Sequence, residues 1–421
     1  MTAPVALPQP AAADPRVLEN LPALDSMRAV AAIAVLATHA SFWGGAYSQT
    51  RFGTALARLD IGVAIFFVLS GFLLSRTWLE RHARGAPAPS TGRYLWRRAV
   101  RIVPVYLLAA AGALLLLPGN DAASPGVWLR TLTMTNLYFD DRLPDGFTQM
   151  WSLATEVAFY VLLPLLMWVI LSRRRDGKPS HSRLGTVVAA LLLLNGTWLL
   201  DLAGRVDAVS PLSRLWLPSY LTWFAVGIVL AACYVRIRTG GPGEEGSKED
   251  VLGRMAELVQ LMGRTPGVCW TAALAVFVIS ATPLAGPSSL TAPTLGEALV
   301  KNLLYAAAAG LLVLPCVFAP AEGRFLRVLS LRPLRHLGHL SYSLFCVHLV
   351  ILELVARARD MPLFEGRTFE LFTLTLVISL LVSEVLYRLV ERPALRLKDL
   401  GRPARDRSVD TSSPSVTATS S

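Results

Sequence analysis

Long apolar runs separated by short polar segments make up most of this chain. Ten runs are near the length of about 20 residues with which a helix crosses roughly 30 Å of hydrocarbon. They lie at 24–43, 59–79, 99–117, 151–172, 184–203, 216–235, 267–284, 298–319, 338–356 and 368–390. Because the runs are continuous and do not alternate apolar with polar residues, they favour helices over the strands of a membrane barrel. The pattern predicts an all-α integral membrane protein, a bundle of about ten transmembrane helices.

The polar segments divide the chain into three regions. Residues 1–20 are rich in Ala and Pro and lack the order of basic and apolar segments found in a signal peptide, so we expect a flexible N-terminal segment. Residues 21–398 are predicted to form the transmembrane domain, with a flexible linker at 239–249 (TGGPGEEGSKE). The polar segment 399–421 is predicted to be a disordered cytoplasmic tail.

The charge content agrees with a membrane protein. Hydrophobic residues make up 53% of the 421 residues and charged residues 16%, whereas soluble domains carry roughly 25% charge. The net charge of +11 is not interpreted as nucleic-acid binding, because the basic residues cluster in alternate loops, after spans 2, 4, 6, 8 and 10. The loop at 285–297 has none. The positive-inside rule then predicts a multi-pass protein of the cell membrane with both termini in the cytoplasm. An extra span at 118–135 would break the alternation.

Two ionisable residues share one face of the first span. Arg28 and His39 are eleven residues apart, which on a helix is about 16 Å along the axis and close to three full turns. Charged groups inside a membrane are costly and usually functional. The alternative is structural: Arg28 reaches the headgroups and His39 bonds a neighbouring helix.

Further polar residues lie in spans 2, 3 and 4. Arg98 and Arg101 are three residues apart at the cytoplasmic mouth of span 3, so they share a helix face and could clamp phosphate groups, although anchoring by the positive-inside rule is the alternative. Glu156 is about one turn inside the outer end of span 4. By this topology His39 lies at a similar depth, so a carboxylate–imidazole pair is allowed. Ser70 lies at the middle of span 2.

His348 lies in the middle of span 9, with Tyr342 about two turns below it. A hydrogen bond that packs two helices explains a histidine at this place as well as a catalytic role does. A second group of residues, Glu384, Tyr387, Arg388 and Glu391, is interpreted as a structural salt-bridge cluster. The four cysteines lie in apolar runs and are interpreted as buried filler. His336 and His339 are interpreted as interfacial residues, and no metal-binding motif is present.

Six stretches together resemble the membrane-bound acyltransferase-3 family of O-acetylases, which modify surface polysaccharides, peptidoglycan and some antibiotics. The stretches occur in the family's order: LDSMRAVAAIAVLATH, DIGVAIFFVLSGFLL, RRAVRIVPVY, MWSLATEVAFYVLLPLL, HLSYSLFCVHLVI and YRLVERPALRL. One departure is Ala64, where the family often has Asp, and it removes a polar group from the expected pocket.

The resemblance implies roles for particular residues. His39 is expected to be the catalytic base or an acyl relay, with Glu156 as the supporting catalytic carboxylate. Donor contacts are expected from Arg28, Arg98 and Arg101. The expected substrate and support residues are Ser70, Trp151, Ser152, Tyr342 and His348.

The resemblance also implies an activity. We expect an O-acyltransferase that moves an acyl group, most simply acetyl, from cytoplasmic acyl-coenzyme A to a hydroxyl, with no metal. The expected partners are the lipid bilayer, acyl-coenzyme A, and a cell-surface glycan, a lipid-linked sugar or a small molecule such as a macrolide as acceptor. The sequence leaves the acyl length open. The competing interpretations are a transporter or flippase for a glycan or lipid-linked substrate, and a structural or sensory membrane protein.

Overall fold

A computed structural model describes residues 21–172, 181–207, 210–239, 251–287, 291 and 293–399. The predicted flexible segment 1–20, the linker from residue 240 onward and the tail beyond residue 399 lie outside the described residues. The basic residues at 173–178 and 402–407, which the topology prediction also used, lie outside them as well.

Within the described residues the chain is helical and has no strand. Eleven helices there have thirteen residues or more: α1 Ala23–Trp43, α2 Ile61–Ala83, α3 Thr91–Leu116, α4 Met150–Leu171, α5 His181–Thr197, α6 Leu221–Thr239, α7 Val251–Gly263, α8 Pro266–Ser280, α9 Leu295–Phe318, α10 Arg332–Ala358 and α11 Thr368–Leu386.

Shorter elements connect the long helices. Short α-helices are Ala46–Gln49, Gly53–Ala57, Pro125–Leu132, Asn136–Phe139, Ala203–Asp207, Arg324–Leu329 and Arg392–Leu395. Single 3₁₀ turns are Arg58–Asp60, Pro118–Asn120, Ser213–Leu215, Leu217–Tyr220, Pro283–Ala285 and Arg396–Asp399, and π-helical turns are Trp198–Leu202 and Tyr387–Glu391. The helix Pro125–Leu132 has eight residues, far short of the length of a span. It is therefore not the extra span at 118–135 that would break the alternation of charged loops.

Nine of the long helical segments in the described chain are apolar enough to cross a membrane, and the bent pair α7–α8 brings the number to ten. The pair is bent by 94°. Helix α8 runs antiparallel to α9: Trp270 Nε1 lies 3.3 Å from the Leu312 carbonyl near the end of α9. At its other end, the Ser280 carbonyl accepts a 2.7 Å bond from Arg58, beside the start of α9. The prediction of about ten spans is confirmed, and α7 is a helix where the sequence predicted a loop.

The helix directions alternate, so the start of α1 and the end of α11 lie at one end of the bundle. There Ser26 Oγ donates to the Leu329 carbonyl, and Glu384 on α11 contacts His336 on α10 at 2.7 Å. We call this the arginine-rich end, because it carries Arg81, Arg84, Arg93, Arg97, Arg236, Arg238, Arg254, Arg264, Arg324, Arg327, Arg332, Arg335, Arg388, Arg392 and Arg396.

The opposite end also carries basic residues, so the alternation is less strict than the sequence indicated. Several of them are neutralised by nearby carboxylates. Lys301 contacts Asp60 at 2.7 Å, Arg130 contacts Asp140 at 2.6 Å, and Arg359 and Arg367 contact Glu370 at 3.1 and 2.8 Å.

Helices α2, α6 and α10 form the centre of the bundle. Of the apolar window of α10, 83% is buried inside the protein, against 22% for α5 and for the segment that begins with α11. Helices α2 and α6 run parallel and touch through glycines. A Cβ on Gly71 would collide with the Phe224 carbonyl, and one on Gly227 with the Val68 carbonyl. Small residues let helix backbones approach in this way.

Gly227→Ala should therefore destabilise the bundle, because its methyl group would force α2 and α6 apart. We expect the free energy of unfolding to fall by about 1–3 kcal/mol, as for overpacking of a core. The measurement is thermal or denaturant unfolding of the purified protein in micelles. Gly112→Ala on α3 is the matched control, since nothing lies within 4 Å of its Cβ position. Equal stability of the two variants would contradict the close contact.

Candidate functional site

The segment before α4 enters the bundle and determines how deep α4 begins. Phe147 and Gln149 are buried, and Gln149 Nε2 contacts the carbonyls of Phe345 and Cys346 on α10 at 3.4 and 3.3 Å. Gly146 has φ +66°, and a Cβ there would meet the Val350 backbone and Leu117. Such a φ favours glycine. Helix α4 therefore starts at the level of Phe345, well inside the membrane span.

The first cavity, which we call the arginine cavity, lies on the side of Phe345 that faces the arginine-rich end. Its volume is about 90 Å³. Its polar lining residues come from five helices: Arg28, Ser70, Arg98, Arg101, Ser152, Glu156, Tyr160, Ser341 and Tyr342. The structure thus brings together Glu156 and the three arginines that the sequence analysis selected as donor contacts.

The predicted pair of Glu156 with His39 is wrong. Glu156 Oε1 accepts hydrogen bonds from Ser70 Oγ and from Tyr160 Oη, the latter at 2.7 Å. The sequence placed Glu156 by counting residues from the outer end of the apolar run of span 4. Helix α4 begins deeper in the bundle than this count assumes, so Glu156 lies in the arginine cavity. Tyr160 was missed, and its position one turn after Glu156 was the available signal.

The arginines of this cavity have N–H groups that are free to donate hydrogen bonds to a ligand. Arg28 contacts Asp25 at 3.1 Å. Among the described residues, neither Arg98 nor Arg101 has a side-chain hydrogen bond or a carboxylate within 4.0 Å, and Arg98 Nε is buried without a partner. Buried polar groups are normally paired, and Arg98 and Arg101 both line the cavity, so two guanidinium groups without a carboxylate partner in the described structure indicate a place for an anion.

The second cavity, the histidine cavity, lies on the other side of the level of Phe345. Its volume is about 630 Å³, within the range of small-molecule sites. The chemically informative lining residues are His39, Tyr47, Asp60, Asp145, Gln149, Trp151, Lys301, Glu353 and Arg357. Of these residues, only His39 and Trp151 were predicted from the sequence. Glu353 was detectable, because it interrupts the apolar run of α10.

His39 and His348 form a hydrogen-bonded pair between α1 and α10. His39 Nδ1 lies 3.1 Å from His348 Nε2. His39 is partly exposed and lines the histidine cavity, whereas His348 is 1% exposed and lies behind it. His348 is therefore a partner of His39 and does not contact a bound molecule directly.

The hydrogen bonds assign the protons of this pair. His348 Nδ1 lies 2.9 Å from the Phe345 carbonyl and 3.2 Å from that of Leu344, and carbonyls only accept. In the neutral ring His348 Nδ1 then carries the proton and His348 Nε2 accepts. His39 Nδ1 must donate to it, which leaves the lone pair on His39 Nε2. His39 thus presents a base to the histidine cavity.

The remaining selected residues divide between the two cavities. Trp151 lines the histidine cavity and stacks on Tyr220, with ring centroids 4.8 Å apart. Ser152 and Tyr342 line the arginine cavity, where Tyr342 Oη donates to the Ile102 carbonyl at 2.6 Å. Tyr47 lies outside the spans, and burial raises the pKa of its hydroxyl to about 12, so it remains a donor at neutral pH.

Away from the cavities, several interpretations can be compared with the structure. Glu384 contacts Arg388 at 2.5 Å and His336 at 2.7 Å, in agreement with a structural cluster. Glu391 instead accepts from Ser343 at 3.1 Å. The four cysteines are buried. In the described parts of the chain no three His, Cys, Asp or Glu side chains are grouped as metal ligands.

Comparison with known proteins gives one family. A family model described as "Acyltransferase domain" matches residues 21–388. Acyltransferase MdmB of Streptomyces mycarofaciens is 26% identical in an alignment of 416 positions that covers 92% of this chain and 95% of MdmB. No solved structure matches.

Two further relatives are longer. Peptidoglycan O-acetyltransferase OatA of Listeria monocytogenes is 25% identical over 394 residues, and putative peptidoglycan O-acetyltransferase YrhL of Bacillus subtilis is 24% identical over 393. Each match covers 89% of this chain but only 55% and 54% of the relative. The chain thus spans about half the length of these two proteins.

The proton assignment of the histidine pair can be measured directly. In protein labelled with ¹⁵N-histidine, the nitrogen shifts of His39 and His348 at neutral pH should show the proton on Nδ1 in both rings, because the carbonyls of Leu344 and Phe345 fix it in His348. His348→Ala should weaken this preference in His39, because it removes one acceptor of the His39 Nδ1 proton. A wild-type His39 with its proton on Nε2 would contradict the assignment.

Proposed function

The chain belongs to the acyltransferase-3 family of membrane O-acyltransferases, and on this premise we propose that it transfers an acyl group from acyl-coenzyme A to a hydroxyl of an acceptor bound in the histidine cavity. The observation that carries the proposal is the arrangement of two adjoining cavities: three arginines line one, and the His39 base lines the other. A transporter could use the same histidine as a proton relay, but family membership favours the enzyme.

The donor is proposed to bind by its phosphates. Arg98 and Arg101 have no carboxylate partner among the described residues, and guanidinium groups match the geometry of phosphate oxygens. Glu156 is held by two hydroxyls and has no salt bridge to the arginines in the described structure. One carboxylate faces three guanidinium groups in this cavity, so a net positive charge remains for a phosphate. We assign Glu156 a supporting role in the donor cavity, because it does not orient His39.

The chemistry is proposed to take place at His39 Nε2. This nitrogen takes the proton of the acceptor hydroxyl while the oxygen attacks the thioester carbonyl carbon. A C–O bond forms, the C–S bond breaks, and the proton passes from His39 to the leaving thiolate. His348 orients His39 and stabilises its protonated ring through the 3.1 Å bond. The route in which His39 is first acylated uses the same lone pair and stays an alternative.

The acceptor is proposed to be a hydroxylated molecule, namely a glycan, a lipid-linked sugar or a small secondary metabolite. The histidine cavity offers Asp60, Asp145 and Glu353 as acceptors for hydroxyl groups. Trp151 and Tyr47 add aromatic surface, and such surfaces carry both apolar and polar contacts. Two of the relatives are named for acetylation of peptidoglycan, which is consistent with a carbohydrate acceptor.

We further propose that the arginine-rich end faces the cytoplasm, where the donor would enter. Single cysteines test this, because the native cysteines are buried and should give little background. Arg324→Cys places a thiol at the arginine-rich end and Glu365→Cys at the opposite end, both at exposed positions. In intact cells a membrane-impermeant maleimide should label Glu365→Cys, and Arg324→Cys only after permeabilisation. The reverse result would overturn the orientation.

Substitutions in the two cavities should affect different kinetic constants. His39→Ala should lower kcat for acetyl transfer by roughly 10²- to 10⁴-fold, because it removes the base, with little change in the KM for acetyl-coenzyme A. Arg101→Ala should raise that KM by roughly 10- to 100-fold, the effect of losing a hydrogen bond to a charged group. The measurement is transfer from labelled acetyl-coenzyme A by purified protein in lipid vesicles.

The control for Arg101→Ala is Arg327→Ala, which removes an exposed arginine at the same end whose guanidinium contacts the Glu322 carbonyl at 3.1 Å. It should leave both constants unchanged. Normal transfer by folded His39→Ala protein would refute the catalytic assignment. An unchanged KM in Arg101→Ala would refute the phosphate contact.

A further inference from the structure

The two cavities share two lining residues in the described structure. Val63 on α2 and Phe345 on α10 line both the arginine cavity and the histidine cavity. Both side chains are almost fully buried, at 7% and 8% exposure. These two residues therefore form the part of the wall that the two cavities have in common.

The backbone of Phe345 is fixed by hydrogen bonds, whereas its ring makes only apolar and aromatic contacts in the described structure. The Phe345 carbonyl accepts from His348 Nδ1 and contacts Gln149 Nε2 at 3.4 Å. The ring meets Phe66 edge-on, with centroids 5.9 Å apart, and His348 at 5.7 Å. The side chain of Phe345 can therefore change rotamer without breaking the hydrogen bonds of its backbone carbonyl.

From this arrangement we propose that Val63 and Phe345 form the constriction that selects the acyl group by size; the proposal rests on the proposed function. Phosphates would have to leave the arginines and lose their hydration to pass an apolar wall, so they stay behind. The neutral acyl end passes. Since the arginine cavity has only about 90 Å³, a longer chain that fails to pass finds little space on that side.

The test compares acetyl- with butyryl-coenzyme A. Phe345→Leu and Val63→Ala widen the passage from opposite walls, and each should raise the butyryl-to-acetyl ratio of kcat/KM on the order of tenfold, the scale on which apolar pockets discriminate methylene groups. Val63→Phe should lower the ratio. Val63→Ala removes only two methyl groups, so the same comparison can be made with it if the Phe345→Leu protein is unstable.

Phe159→Leu is the matched control. Phe159 is also fully buried, stacks on Phe224 with centroids 3.9 Å apart, and lines neither cavity. It should lower stability without changing the ratio. If both widening variants keep the wild-type ratio, or Phe159→Leu shifts it equally, the constriction is overturned. If wild-type protein transfers no acetyl group, or transfers it without His39, the proposed function itself fails.

Discussion

The hydrogen bond between His39 and His348 is the interaction on which the rest of the site depends. It joins α1 to the central helix α10, and it exists in one proton arrangement because the Phe345 carbonyl holds the proton of His348 at 2.9 Å. In a membrane interior an unpaired imidazole nitrogen has no water to bond, so each nitrogen of the pair needs a defined partner. The one nitrogen left over, His39 Nε2, faces the cavity where a hydroxyl can use it.

This arrangement requires a rigid support, which the parallel pair α2 and α6 supplies. Gly71 and Gly227 bring the two backbones together, and Phe224 is stacked between Phe67 and Phe159 with centroids 4.5 and 3.9 Å apart. Without a hydrophobic driving force between helices in lipid, such close packing is what holds a bundle together. Ser70, one residue before Gly71, is thereby fixed against Glu156.

The sequence was sufficient for the spans and for most polar residues of the arginine cavity, but it missed most of the histidine cavity and the pairing of the residues it selected. Apolar length predicts a crossing because the bilayer has a fixed thickness. Depth is different. Glu156 was placed beside His39 by counting from the outer end of the predicted span 151–172, yet α4 itself starts within the membrane, because Gln149 contacts carbonyls of α10. The partner of His39 depended on how α1 and α10 pack, which no spacing within either helix encodes.

The separation of the two cavities has an electrostatic reason. His39 becomes a cation when it takes a proton, and at an effective dielectric constant of 20 a positive charge about 16 Å away, the axial distance to Arg28, costs only about 1 kcal/mol. At 5 Å the cost would be about 3 kcal/mol for each arginine. Asp60 lines the cavity of His39 and its charge favours the cationic form of the ring. Placing the three arginines in a separate cavity therefore lowers the cost of protonating His39, and the proposed apolar wall between the cavities lets only the neutral end of a donor pass.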